Sequence, residues 1–402
     1  MTSSRGSQLS GAILCVVAVL LLGSVGTAHA QLNLVYVDTN IGTTANMNTV
    51  AAFSNDGSGN LTALAGSPYL TGGTGVVAAN SGAYDADQEI IVNPSGTLLL
   101  AVNGHSNTVA SFTINSDGTL TTVAGSPFST DGRDPASLGL FSDFFPGGVS
   151  LLTVVDKDAD PRQPTTSGGV PRYNNYKVSS TGVITPLLGT AIYLPTGTNP
   201  SQAMTDASAK LEFTDEFMAG PGTITARTVL KGGRMTAVSS VASPDGELFL
   251  GEVMHPTQNI IYVTMPATSG LAVLTFDTTG NLTLAGTVAN AGNTICWLAI
   301  NEAGTVLYTG NNGDGTVSVF DLTNPTSPVE IQLFQLSGTA PHTFNVGIDP
   351  TQQFVYALTG NKLHVLTISP LDGTLSEVAP VVSLPMMPKG NVALGIATLS
   401  LP

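Results

Sequence analysis

Between Glu89 and Pro127 the apolar residues fall in four short runs, Ile90–Val92, Leu98–Val102, Val109–Ile114 and Leu120–Val123. Each is too short for a helix, is rich in β-branched residues and is bounded by turn formers, so each predicts a strand. Asn93-Pro94-Ser95-Gly96 suits the first turn, because proline presets the backbone at the second position and glycine closes it. Ser116-Asp117-Gly118 supplies a later hairpin, glycine tolerating the positive φ such a connection needs. Four consecutive antiparallel strands form a meander with two apolar faces, and one meander cannot cover both. It requires neighbours.

The rest of the chain copies this unit. Leu34–Val37, Val50–Ser54 and Leu61–Leu64 match its second, third and fourth strands, with the first missing. A third copy begins near Ser137, is interrupted by a polar insertion over 156–169 and resumes with Tyr176–Ile184. A fourth runs through MTDASAKLEF, ITARTVL and MTAVSSV, and a fifth through FLGEVMHPTQNIIYVTM and LAVLTFDTTGNLTLAG. CWLAINEAGTVLYTGNNGDGTVSVFDL opens the sixth and FNVGIDPTQQFVYALTG the seventh. Aligned on the first turn, His255, Asn301 and Asp349 stand 46 and 48 residues apart, the period of propeller blades. The terminal NVALGIATLSL looks like a first strand without partners and supplies the strand missing from the first copy. The expectation is an all-β, seven-bladed β-propeller of four-stranded antiparallel blades, its ring closed by the C-terminal strand in the N-terminal blade. No stretch keeps a 3.6-residue period and no linker divides the repeat, so 31–402 is expected to be a single domain.

Ahead of it, Arg5, the apolar run GAILCVVAVLLL and Ala28-His29-Ala30 have the layout of a signal peptide cleaved after Ala30. The apolar run is short of the ~20 residues of a membrane span. A secreted or periplasmic protein with no membrane span in the mature chain is expected. Loss of Arg5 leaves eleven basic against 27 acidic residues, a net charge of −16, which opposes binding to a nucleic-acid backbone. Only Cys296 remains after cleavage, so no disulfide holds the fold.

The repeated first turn, the LYV or LLAVN strand, TVSVF and GTLT together resemble the lactonase-type seven-bladed propellers, which include 6-phosphogluconolactonases and carboxymuconate cyclases and grade into the YVTN repeat proteins. The resemblance spans the mature chain. Its best segment is Leu250-Gly251-Glu252-Val253-Met254-His255-Pro256, followed by Ile261-Tyr262-Val263, and it implies that Glu252 projects toward the central channel. Two departures stand out. Asn199–Met204 occupies the place of a histidine-rich inner strand, and Thr264-Met265-Pro266 that of an Asn-Arg.

In a propeller, loops from one blade's outer strand to the next blade's inner strand, and from second to third strands, gather at the channel mouth. Arg133, Asp134, His342, His105, Asp215, Glu216 and Asp314 fall there. A pocket bordered by Glu252, His342 and Arg133 is therefore the expected catalytic site, with His342 a base or ligand group or else a residue shaping the entry to an inner strand, and Arg133 a carboxylate clamp or the partner of Asp131 or Asp134. Asp156, Asp158 and Asp160 alternate as oxygen ligands of Ca²⁺ can, although Pro161 and Ser167 replace the glycine and glutamate of an EF-hand loop. No phosphate loop, dinucleotide fingerprint or His-x-His is present, so no organic cofactor is expected. His255 and Cys296 read as structural. Two functions compete: an exported ligand- or partner-binding scaffold of the cell envelope, expected to be monomeric, or a hydrolase of a sugar lactone or related ester.

Overall fold

In five of the seven blades the repeat begins with one acceptor. Asn93 Oδ1 accepts from the backbone N–H of Thr97 and Leu98 at 2.9 and 2.8 Å. Asn301 does the same for Thr305 and Val306, Asp206 for Lys210 and Leu211, and Asp349 for Gln353 and Phe354. His255 holds the same place, its Nδ1 accepting from Thr257 and Gln258 N–H at 3.2 Å each; burial keeps its pKa below the ordinary value. These residues fix the hairpin between first and second strands, which is why the turn recurs at a regular spacing. Asp349→Ala orphans several N–H groups and should cost ~1–3 kcal/mol, a drop of a few degrees in melting temperature. Asp349→Asn keeps the acceptor and should melt close to the native protein.

The computed structural model describes residues 1–2, 31–77, 86–157, 170–206, 208, 210–217, 220–338, 342–378 and 380–402. It contains seven antiparallel sheets and, among those residues, one turn of 3-10 helix at Pro244–Gly246. Blade one is Leu32–Asp38, Thr49–Asn55 and Leu61–Ala63, completed on its inner side by Gly395–Leu401. The closing strand runs in register from Leu32 opposite Leu401 to Asp38 opposite Gly395. The remaining blades start from inner strands Ile90–Val92, Pro135–Phe145, Pro200–Thr205, Glu252–Met254, Ile295–Ile300 and Asn345–Ile348. This is the ring the repeat predicts.

The second-strand tyrosine of the Leu-Tyr-Val pattern ties blades one, five, six and seven to a neighbour. Tyr36 Oη donates to Gly118 O and Tyr308 Oη to Gly373 O, at 2.8 and 2.9 Å, each reaching the outer hairpin of the adjacent blade. Tyr262 Oη donates to Pro325 O at 2.8 Å, and Asn55 donates to Tyr356 Oη at 2.7 Å. Apolar clusters fill the space between blades, for example Val35, Phe53, Tyr356 and Val365. Two boundaries differ from expectation. The third strand of blade three starts at Arg172 instead of Tyr176, its polar Asn174 and Asn175 pairing with the second strand. In blade five the inner strand starts at Glu252; Leu250 and Gly251 still bond Thr264 through the backbone, and Gly251 passes so close to blade six that a Cβ there would meet Cys296 O at 2.2 Å.

Candidate functional site

The channel-mouth face carries the ends of second strands and the starts of inner strands, and most of the buried charge collects there. Asp38, Asp134, Asp156, Lys157, Asp215, Glu216, Glu89 and Glu252 are all buried on this face. Part of this set belongs to the repeat. In four blades the last residue of the second strand bonds across its hairpin: Asn103 to Thr108, Asn311 to Thr316 and Ser318, Glu216 to Thr225, Asp156 to Asn174. In blade seven Thr359 Oγ1 lies 2.8 Å from His364 Nε2, whose Nδ1 is 2.6 Å from Glu377 Oε1. That chain has the order of a nucleophile, base and orienting acid, but Thr359 is 2% exposed and occupies the same hairpin position as Asn103 and Asn311. Sequence reading passed over His364, which has no motif around it.

A second polar chain belongs to no repeat. Lys157 Nζ donates to Asn199 Oδ1 at 3.0 Å, and its charge favours the ionised form of both Glu89 and Asp215. Asp215 accepts from Ser201 and Gln202 N–H at 2.9 and 2.6 Å and from Ser201 Oγ. Gln202 then bridges blades: its Oε1 accepts from Glu252 N–H at 2.9 Å, and its Nε2 donates to Glu252 O at 2.8 Å and to Gln88 Oε1 at 3.2 Å. Asn345 Nδ2 donates to Asp87 Oδ1 at 3.0 Å. The segment Asp87–Glu89 thus joins blades two, four and seven across the mouth.

Two carboxyls in this chain are buried with both oxygens lacking a hydrogen-bond partner: Glu89 and Glu252, 1% and 2% exposed. Burial drives both well above the carboxylate range, reinforced for Glu89 by Asp87 and for Glu252 by Asp215, then Glu216 and Glu212. Glu252's charged neighbours are all on the strand Leu211–Glu216, so its carboxyl packs toward blade four. Burial also raises Asp38 and Asp215 to about 7. Carboxyls held neutral or half-protonated near pH 7 can donate as well as accept hydrogen bonds, which suits hydroxyl-rich ligands and proton transfer.

Of the expected trio, Glu252 lies in this chain and the others do not join it. His342 Nδ1 is 2.6 Å from Asn312 O and its ring packs on Phe344, which positions the approach to the inner strand of blade seven. Arg133 is exposed, and among the described residues no ion pair links it to Asp131 or Asp134. Asp215 and Glu216 prove to be strand residues; Glu216 is bound by Arg227 at 3.2 Å. His105 is exposed, and Asp314 accepts from Asn293 N–H and Thr316, bracing its own loop. Asp156 belongs to the second strand of blade three, not to the insertion, and accepts from Asn174 at 2.7 Å. Asp158 and Asp160 lie outside the described residues, among which no group of three or more His, Cys, Asp or Glu suits a metal. Cys296 is buried with Phe217, Leu250 and Trp297. An open cavity of about 490 Å³ lies at the other end of the channel, where Val92, Val253, Ile300, Ile348 and Leu399 converge below Glu302 and Gln352.

Residues 218–390 match the family model of the lactonase, seven-bladed β-propeller. No curated protein sequence matches the chain. Among solved structures it is similar to a protein from Lactobacillus plantarum, at 16% identity and a TM-score of 0.69 over 92% of this chain and 99% of that one. The periplasmic gluconolactonase of Pseudomonas aeruginosa aligns at 13% identity and 0.69 over 93% and 100%. A putative 6-phosphogluconolactonase from Bacteroides fragilis aligns at 12% and 0.67 over 93% and 99%. At such identities the likeness is one of fold.

Proposed function

We propose, for a chain whose residues 218–390 match the lactonase, seven-bladed β-propeller model, that it is an exported binding propeller taking a neutral, hydroxyl-rich ligand of the sugar-lactone kind at the channel mouth. The reading rests on Glu252, whose carboxyl is enclosed, unpartnered and held neutral beside three other acids while His342 and Arg133 stand apart from it. The export part of the reading is supported by the N-terminal run ahead of Gln31. The charge of the site argues for the ligand class. Among the described residues of the buried cluster both cations are already engaged, Lys157 by Asn199 with Glu89 and Asp215 in its field and Arg227 by Glu216, which leaves a phosphorylated or carboxylated ligand without a counter-charge there.

Lactone hydrolysis is the second reading, favoured by the raised Asp215 beside Glu252 and by the gluconolactonase named among the similar folds. The two separate in one assay. Titration calorimetry with glucono-δ-lactone and gluconate should give binding that Glu252→Gln weakens at least about tenfold, matching loss of one strong hydrogen bond, with hydrolysis no faster than in buffer. Turnover abolished by Glu252→Gln would replace the binding reading with the hydrolytic one. Absence of both binding and turnover across a lactone panel would remove the mouth as a lactone site.

A further inference from the structure

Blades four, five and six have unbroken outer strands, Met235–Ala242, Leu282–Ala289 and Val329–Gln335, whereas those of blades one, two, three and seven are split into two short pieces. In blades one and two the split falls at Ala-Gly-Ser-Pro, where proline and a left-handed glycine interrupt the ladder. Broken edges resist pairing with other chains; long regular ones invite it. Val329–Gln335 is hydrogen-bonded on one side only, leaving an outer row of backbone groups without a strand partner. Its exposed positions are Val329, Ile331 and Leu333, at 58%, 40% and 43%, and then Gln335. On the matching strand of blade five they are Thr283, Ala285, Thr287 and Ala289. The edge of blade six has no lysine or proline to blunt it.

Beside this edge, between blades six and seven, lies a cavity of about 570 Å³. Ile331, Val306, Tyr308 and Ile368 line it, and Leu371 stands on its lip, 94% exposed. Asp321 and Asp372 form its polar side, each bound by the threonine two residues on. These bonds hold both carboxyls below the usual range and hence ionised. No cation balances them nearby in sequence: from Met235 to Pro388 there are eleven acidic residues and one basic one, Lys362.

We propose that the outer edge of blade six is a docking site for a basic, extended segment of a partner protein, which adds a strand to Val329–Gln335 and places its Lys or Arg side chains against Asp321 and Asp372. The free edge fixes the extended conformation, the aliphatic row selects apolar residues at alternate positions, and the one-signed rim selects their cationic neighbours. Asp321 is the register partner of Val329, so charge and edge meet at the same end of the strand.

The test uses labelled (Lys-Val)4, (Lys-Ser)4 and (Glu-Val)4 peptides with the full mature protein, followed by fluorescence anisotropy. (Lys-Val)4 should bind, with affinity falling as salt rises, and the other two should bind at least tenfold more weakly. Ile331→Lys with Leu333→Lys should abolish binding; both positions are exposed, and an unchanged melting curve verifies the fold. Asp321→Asn with Asp372→Asn should weaken binding severalfold and flatten its salt dependence. Equal binding by native protein and both variants overturns the proposal, as does failure of (Lys-Val)4 to bind. A dimer of the native protein that Ile331→Lys with Leu333→Lys dissolves also overturns it, a second copy then being the occupant.

Discussion

Truncation after Gly390, removing Asn391–Pro402, is expected to abolish cooperative folding. The deleted strand supplies the inner edge of blade one through seven register pairs, from Leu32–Leu401 to Asp38–Gly395. Its backbone bonds contribute ~0.5–1.5 kcal/mol each. Ile396, Ala397, Leu399 and Leu401 pack into the clusters on either side, each aliphatic worth up to ~2 kcal/mol. Asn391 is lost as well, with its bonds to the N–H groups of Gly42 and Thr43. The sum is on the order of 10 kcal/mol, comparable with the whole stability of a typical domain. The truncated protein should elute as aggregate or melt without a sharp transition, and a synthetic 391–402 peptide should restore part of the transition. A truncated chain that melts like the full one would mean the ring does not depend on this closure.

The ring was legible because its determinants are local and repeated. An acceptor at Asn93, Asn301 or Asp349 and a tyrosine such as Tyr36 or Tyr308 act through neighbours at fixed offsets, so period and turn chemistry expose them. Closure was legible from a strand without partners at one end and a missing strand at the other. The mouth was less so. Glu252 stood in a recognisable segment, but Glu89, Lys157 and Gln202 come from three blades and share no motif; only the fold makes Lys157 a neighbour of Asn199 and Gln202 one of Gln88. Arg133 and His342 were chosen for residue type and face, which cannot tell a side chain aimed into the mouth from one bound to its own loop, as His342 is to Asn312. Asp215 and Glu216 looked like loop acids because their strand ends in them.

The buried acids also set an unusual dependence of stability on pH. Burial raises Asp38 and Asp215 to about 7 and Glu212 to about 8, and drives Glu89 and Glu252 well above the ordinary range. A carboxyl whose pKa is higher in the folded state binds more protons there than when unfolded. Its contribution is therefore fully present below the unfolded pKa of ~4 and declines as pH rises toward the folded value. Asp38 and Asp215, each raised to about 7, lose on the order of a few kcal/mol of that contribution across the window. At the acid end, Asp56, Asp117 and Asp277, held below the ordinary value chiefly by side-chain hydrogen bonds from Asn60, Thr119 and Thr279, favour the fold only above the unfolded pKa and lose that contribution as pH falls. The melting temperature should peak at mildly acidic pH, near ~5, and fall by on the order of ten degrees by pH 8. Asp38→Asn combined with Glu252→Gln removes two of the titrating groups while keeping their shape. That variant should melt above the native protein at pH 8, match it or fall below it at pH 5, and show a shallower slope between. Calorimetric scans from pH 4 to 9 decide the matter: a melting temperature constant or rising from pH 5 to 8, or a variant with the native slope, would show that these carboxyls are not held protonated inside the ring.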